Sequence, residues 1–346
     1  MLMKTTQRLL TLAAALLLTA SNLSAQETPT PEFPSYYAAA DGKKGAELKT
    51  ALCGIIRANL NDNVVSYTPG LWDAYPKTDA KPNDPTKVWD MYSSISDFTF
   101  GAPDQDSGSG GSTEGDKYNR EHSFPREWFG GAVAPMNTDL FHVYPTDKLV
   151  NNKRSSLPYG ENNGESYKSN GGFSKIGKCT LSGSGAVNCF EPNDIYKGDF
   201  ARTYFYMVTC YENEVTSWNN GALGVTLDGS KYPAFTAWQL SMLMKWAQND
   251  PVDNPIAKET PRNNEVAKIQ KNRNPFIDYP GLEEYIWGSY MDVPFSYNNY
   301  QQPTAITTIR TERTMHNGVM YNMAGQVVDK SFKGLVIMNG KKYLNR

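Results

Sequence analysis

The chain is expected to adopt an α+β fold, with a strand–loop–strand–helix unit set in a helix-rich body and a small β module at the C-terminus. Three observations predict it. Residues 118–125 and 139–145 read as short strands separated by a Gly- and Pro-containing loop, and a helix opens directly afterwards near Thr146, which is able to cap its first turn. Residues 47–60, 199–211 and 235–248 carry aliphatic and aromatic side chains at helical spacing. Residues 304–346 change character and alternate short apolar runs with Gly- and Asn-containing turns.

Taken in chain order, residues 1–25 combine Lys4 and Arg8, an apolar run and Leu23-Ser24-Ala25, the three parts of a secretory leader. The run is shorter than the roughly 20 residues that cross a bilayer, and no later stretch is apolar enough, so no membrane span is expected. An exported protein is therefore expected, extracellular or at the cell surface, with the periplasm as the alternative. Residues 26–41 read as a linker, Pro- and Thr-rich as far as Pro34. A body at residues 42–300 is long enough for one domain with a continuous core. Within it, Leu48, Leu52, Ile55 and Ile56 give one apolar helix face, and residues 101–115 form an Asp-, Ser- and Gly-rich exposed loop. The helical stretches at 199–211 and 235–248 are so rich in large apolar side chains that they must be largely buried. Asp199 and Arg202 are spaced for an ion pair along the first of them. A boundary at Gln301-Gln302-Pro303 precedes the tail at 304–346, where His316 is expected at the surface.

Without the leader the chain holds 32 Lys and Arg against 36 Asp and Glu, because the leader carries only Lys4 and Arg8. That excludes a tight, globally basic nucleic-acid binder and leaves room for a local basic strip. Residues 255–275, with Lys258, Arg262, Lys268, Lys271 and Arg273, form the one such strip; alone, a run like this is usually a solvated face. Four cysteines allow three pairings, and Cys179 with Cys189 is favoured by the Ser-Gly turn between them, with buried free thiols as the alternative. No cysteine pair has the spacing of a zinc site.

Chemistry concentrates in Tyr118-Asn119-Arg120-Glu121-His122-Ser123-Phe124-Pro125 and in Val150-Asn151-Asn152-Lys153-Arg154-Ser155. Phosphodiester hydrolysis needs a base for water, a cation at the phosphate and positive charge nearby. His122 is suited to be the base, and Glu121 and Asn151 offer a carboxylate and an amide oxygen suited to Mg²⁺, with Ca²⁺ or Mn²⁺ also acceptable. So few carboxylates favour one ion. Neighbours on a strand face opposite ways, so Glu121 and His122 share a site only if the strand ends or bends there, as Pro125 permits. His142 is more simply a hydrogen-bonded core histidine than a second base.

These blocks, with Asp139-Leu140-Phe141-His142, Phe190-Glu191-Pro192, Lys197-Gly198-Asp199-Phe200-Ala201-Arg202 and Asn272-Arg273-Asn274-Pro275-Phe276, resemble the endonuclease I family of periplasmic and secreted nucleases. The resemblance implies a ββα-metal (His-metal finger) core, cleavage of DNA, with RNA as a further candidate substrate, and 5′-phosphate products; low sequence specificity is expected because phosphate contacts position a nucleic acid without reading its bases. It places the general base on His122 and the metal ligands on Glu121 and Asn151, with Asn152 as the adjacent alternative. The family's phosphate-stabilising arginine has no counterpart before Asp139, so Arg154 and Arg273 are the expected substitutes. Lys153 and Lys271 are expected on substrate phosphates; Lys271 stands where relatives often have glycine. The tail resembles the β-rich C-terminal modules of exported Bacteroidetes proteins, as a sorting signal or as a structural appendage. No protein partner is implied, and a noncatalytic surface-binding protein on a nuclease scaffold is the competing reading.

Overall fold

The computed structural model describes residues 30–303, 320–322, 327–329, 331–338 and 341–345; the leader, the first part of the linker and His316 lie outside the described residues. The chain divides into two compact units, one ending at Gln302 and one beginning at Pro303.

The first unit starts earlier than expected. Ser35–Ala40 forms a 3-10 turn in which Tyr37 is fully buried and its hydroxyl donates to Asp278 Oδ2 at 2.6 Å, so residues 35–41 belong to the body and not to a linker. Helices α1 (Gly45–Arg57) and α2 (Gly70–Thr78) follow, then a short hairpin of β1 (Ala80–Lys81) and β2 (Asp84–Val88). Strands β3 (Tyr118–His122) and β4 (Val143–Asp147) pair antiparallel, with Glu121 opposite Tyr144 and His122 opposite Val143, and α3 (Lys148–Arg154) leaves the end of β4. Strands β5 (Tyr167–Lys168), β6 (Lys175–Lys178) and β7 (Asn188–Glu191) make a small antiparallel sheet. Five helices complete the body: α4 (Lys197–Cys210), α5 (Ala237–Asn249), α6 (Glu259–Gln270), α7 (Pro275–Asp278) and α8 (Leu282–Trp287).

The core is organised around α4. Every residue from Phe200 to Cys210 is buried, which marks α4 as a helix buried on all sides with elements packed around it. α1 covers one flank through Leu48, Leu52 and Ile56, and α5 covers another through Met242, Leu243 and Trp246. Each of these large side chains contributes about 1.5–3 kcal/mol by leaving water. This rigid backing is what β3, β4 and α3 rest on, through Tyr144, whose hydroxyl lies 2.7 Å from Thr203 Oγ1, and through Phe124 against Tyr204.

Four local expectations need correction. Asp147, not Thr146, caps α3: its Oδ1 accepts from Val150 N at 3.0 Å, while Thr146 is still in β4. Residues 139–142 are not strand, because buried Asp139 is drawn into bonds from the Tyr206 and Tyr211 hydroxyls at 2.8 and 2.6 Å. Arg202 pairs with Glu259, the first residue of α6, across two bonds of 2.6 and 2.7 Å and not with Asp199. The Cys179–Cys189 bridge is not formed; the four cysteines are buried free thiols.

The second unit shows an antiparallel sheet in the order β11, β10, β8, β9, from β8 (Met320–Asn322), β9 (Val327–Val328), β10 (Gly334–Met338) and β11 (Lys341–Asn345). Among the described residues no helix is long and apolar enough to cross a membrane.

Candidate active site

Strand β3 ends at His122, and the backbone turns at Ser123, whose N–H and hydroxyl both donate to His142 O at 2.9 Å. This ending is what lets two consecutive residues serve one site: Glu121 and His122 line the same cavity of about 270 Å³. Asn151 and Asn152 reach it from α3, together with Arg120, Arg126, Glu127, Ser155 and Tyr67. The ββα unit therefore gathers the residues that the sequence places in two separate blocks.

His122 is held neutral and in one tautomer. Its Nε2 lies 2.9 Å from Asn137 O, an atom that only accepts, so Nε2 carries the proton and the lone pair sits on Nδ1. No hydrogen bond to Nδ1 is present among the described residues, although the ring borders the cavity. Burial, and secondarily the neighbouring His142, push the pKa down to about 3, so the imidazole is uncharged at neutral pH. The carbonyl that fixes it belongs to a turn anchored by Asp139, which also accepts from Gln270 Nε2 at 3.0 Å. His142 is fully buried with Nε2 2.5 Å from Met136 O and lies off the cavity, a packed core histidine.

Glu121 is nearly buried, and burial raises its carboxyl above the usual range, partly offset by Arg154. Its Oε1 accepts from Arg154 Nη1 at 2.6 Å and from the Tyr92 hydroxyl at 2.9 Å. Those two donors fix one oxygen, and Oε2 carries no hydrogen bond among the described residues. Asn151 Nδ2 donates to Arg120 O at 3.2 Å, which anchors the amide and leaves its oxygen unused. One carboxylate and one amide oxygen bordering a polar cavity fit a single hard cation that keeps water and phosphate as its other ligands. No group of three or more His, Cys, Asp or Glu is arranged to hold a metal among the described residues, which is consistent with so sparse a donor set.

Three of the expected phosphate contacts are corrected here. Arg154 is 1% exposed and spends its guanidinium on Glu121, on His122 O at 2.8 Å and on Ser123 O at 2.6 Å, so it braces Glu121 and the end of β3 and has no face turned to solvent. Arg273 is locked to Asp278 by bonds of 2.7 and 2.6 Å, away from the cavity. Lys271 ends α6 at φ 57°, the left-handed conformation that favours glycine, and does not line the cavity. The basic strip dissolves with them, since Arg262 is buried on Asp79 and Lys268 pairs with Glu265. Lys153 is exposed on α3, outside the cavity lining.

The cations that do border the cavity are Arg120 and Arg126. Arg120 is packed between the Tyr67 ring at 3.7 Å and the Trp72 ring at 4.3 Å. Arg126 is 44% exposed, with a loose 3.5 Å contact to Glu127, and so has a guanidinium free to meet a phosphate. Its position directly after Pro125 was a usable sequence signal; Tyr67 and Tyr92 were visible only once the fold was known.

Residues 44–281 match the family model described as Endonuclease I. The chain belongs to the endonuclease I family. It is 34% identical over 269 residues to an extracellular ribonuclease of Bacillus amyloliquefaciens, spanning 76% of this chain and 82% of that protein. It is 32% identical over 272 residues to an extracellular ribonuclease of Bacillus subtilis, spanning 77% and 83%. This endonuclease I chain is thus a nuclease, a hydrolase of phosphodiester bonds, and its α+β architecture is that of a nuclease fold. The match takes in far more than the chemical blocks, because residues such as Asn272, bonded to the Tyr206 hydroxyl at 2.8 Å, and Asn274, which caps α7, build the frame behind the cavity.

Proposed function

We propose that the chain is an exported, Mg²⁺-dependent endonuclease of low sequence specificity that cleaves RNA and DNA and leaves 5′-phosphates. The observation that carries this reading is the His122 imidazole, its Nε2 bound to Asn137 O and its Nδ1 without a hydrogen bond among the described residues, at the cavity His122 lines with Glu121 and Asn151. Extracellular ribonucleases among its relatives support export and RNA as a substrate.

Nδ1 of His122 takes a proton from a water that attacks phosphorus in line with the leaving 3′-oxygen, and the imidazolium then formed is stabilised through Nε2 by the Asn137 carbonyl. Glu121 and Asn151 would hold the cation, which would supply charge neutralisation for the reaction. Arg126 faces the same phosphate from the exposed rim and offsets charge as it builds on the non-bridging oxygens. Contacts of this kind hold the backbone and read no bases, which accounts for low specificity.

Calorimetry with Mg²⁺ and cleavage with and without EDTA test the proposal. Wild-type protein is expected to bind one ion and to lose cleavage in EDTA, whereas Glu121→Gln and Asn151→Ala bind it at least tenfold more weakly. Loss of binding in Asn152→Ala with Asn151→Ala unaffected would move the ligand by one residue, and cleavage that persists in EDTA would contradict the metal. Arg126→Ala is expected to lower kcat about 10- to 100-fold with an unchanged melting temperature, because the side chain is exposed and makes no contact the fold depends on.

A further inference from the structure

Tyr67 sits in the active cavity although nothing in the hydrolytic chemistry requires an aromatic ring there. It comes from the loop before α2, on a different part of the chain from β3 and α3, and its ring lies nearly parallel to that of His122, at 16° with centroids 6.2 Å apart. The ring is half-exposed in a cavity whose other lining residues, His122 and Pro125 apart, are polar or charged. Its hydroxyl makes no hydrogen bond among the described residues.

The ring is nevertheless held firmly. Arg120 lies over it at 3.7 Å, and the same guanidinium donates from Nη1 to Tyr67 O at 2.8 Å and to Thr68 Oγ1 at 2.9 Å, while Trp72 backs it at 4.3 Å. Arg120 thus fixes both the backbone and the ring of Tyr67. A half-buried aromatic that Arg120 immobilises from one face while the ring still borders the cavity has already lost the freedom that stacking a ligand would otherwise cost.

We propose that Tyr67 is a stacking platform for one unpaired nucleobase next to the scissile phosphate. The proposal rests on the nuclease reading above and deepens it, by naming single-stranded nucleic acid as the favoured substrate. In a duplex the base faces are covered by their neighbours in the stack, and a platform at the depth of the scissile phosphate meets only backbone and groove edges. In a single strand the base beside the phosphate is free to swing out onto an aromatic ring, a contact that tolerates any base because every base has a π-face. The platform therefore adds affinity without adding sequence specificity.

Two measurements test it. In the first, kcat and KM are determined for wild type, Tyr67→Ala, Tyr67→Phe and Tyr67→Trp on one RNA sequence, presented single-stranded and as a duplex. Tyr67→Ala is expected to raise KM on the single strand on the order of tenfold, several times more than on the duplex, with a smaller change in kcat, and the Phe and Trp variants are expected to restore it. In the second, a fluorescent pentanucleotide and its fully abasic counterpart are bound to His122→Ala protein, with and without the additional Tyr67→Ala change. The base-bearing strand is expected to bind about tenfold more tightly than the abasic strand, and the second substitution to erase that difference. Equal losses on single strand and duplex, failure of Phe and Trp to restore KM, or a base-dependence of binding that survives Tyr67→Ala would overturn the platform. A wild-type protein that cleaves neither RNA would instead refute RNA as its substrate, while the binding measurement would still decide the role of Tyr67.

Discussion

Replacing His122 with alanine is expected to lower the cleavage rate by about 10²- to 10⁴-fold, the usual contribution of a positioned general base. The substitution removes the one unpaired basic nitrogen of the site and leaves in place Glu121 with its partners Arg154 and Tyr92, and Asn151 with its anchor on Arg120 O. Affinity for Mg²⁺ and for nucleic acid is therefore expected to stay within about threefold of wild type. A glutamine at position 122 offers Asn137 O a donor but cannot take up a proton at neutral pH, so it is expected to match alanine in rate and exceed it in melting temperature. Cleavage by His122→Ala near the wild-type rate would remove the base assignment.

Arg154→Ala is expected to be the most destabilising single change in the site. Arg154 is buried, bridges Glu121, His122 O and Ser123 O, and lies 5.0 Å from the Tyr159 ring centroid. Removing it strands a buried carboxylate and two carbonyls, a loss of about 3–5 kcal/mol of the kind seen when one partner of a buried pair is deleted. For a domain of this size that corresponds to a fall of roughly 10 °C in melting temperature. Lysine at the same position keeps the charge but not the planar fork, so Arg154→Lys is expected to recover only part of the loss. Thermal unfolding together with a salt series of nucleic-acid binding separates this account from the alternative. If Arg154 instead met a phosphate, its removal would leave the melting temperature unchanged and flatten the salt dependence by about one contact.

The sequence made the ββα unit legible because its two strands and one helix are short, local and separated by plain turn signals. That Glu121, His122 and Asn151 would meet at one cavity was legible for the same reason, since they lie on elements close in the chain, while the roles expected of them came from the family resemblance. The positions of the arginines were not legible. A guanidinium reaches far from its Cα, and whether Arg154 or Arg273 meets substrate or an internal carboxylate depends on Glu121 and Asp278, which fold brings beside them. Charge counting failed for residues 255–275 on the same ground, since Arg262 and Arg273 are neutralised inside the body by Asp79 and Asp278. The strand expected at 139–142 was lost to Asp139, whose tyrosine partners lie on and just beyond α4, remote in sequence. Tyr67 illustrates the general limit: it reaches the site from a loop whose own residues carry no chemical signature.

The chemistry of the new chain ends tests the central claim most directly, with a defined single-stranded RNA cleaved in ¹⁸O-labelled water with Mg²⁺ and, in parallel, with EDTA. Water activated by His122 must place the label on a 5′-phosphate and leave a 3′-hydroxyl, and the reaction must stop in EDTA. Unlabelled 2′,3′-cyclic phosphates and 5′-hydroxyls, formed equally well in EDTA, would instead mean that the RNA's own 2′-hydroxyl is the nucleophile and that the Glu121, His122 and Asn151 cavity does not work as described.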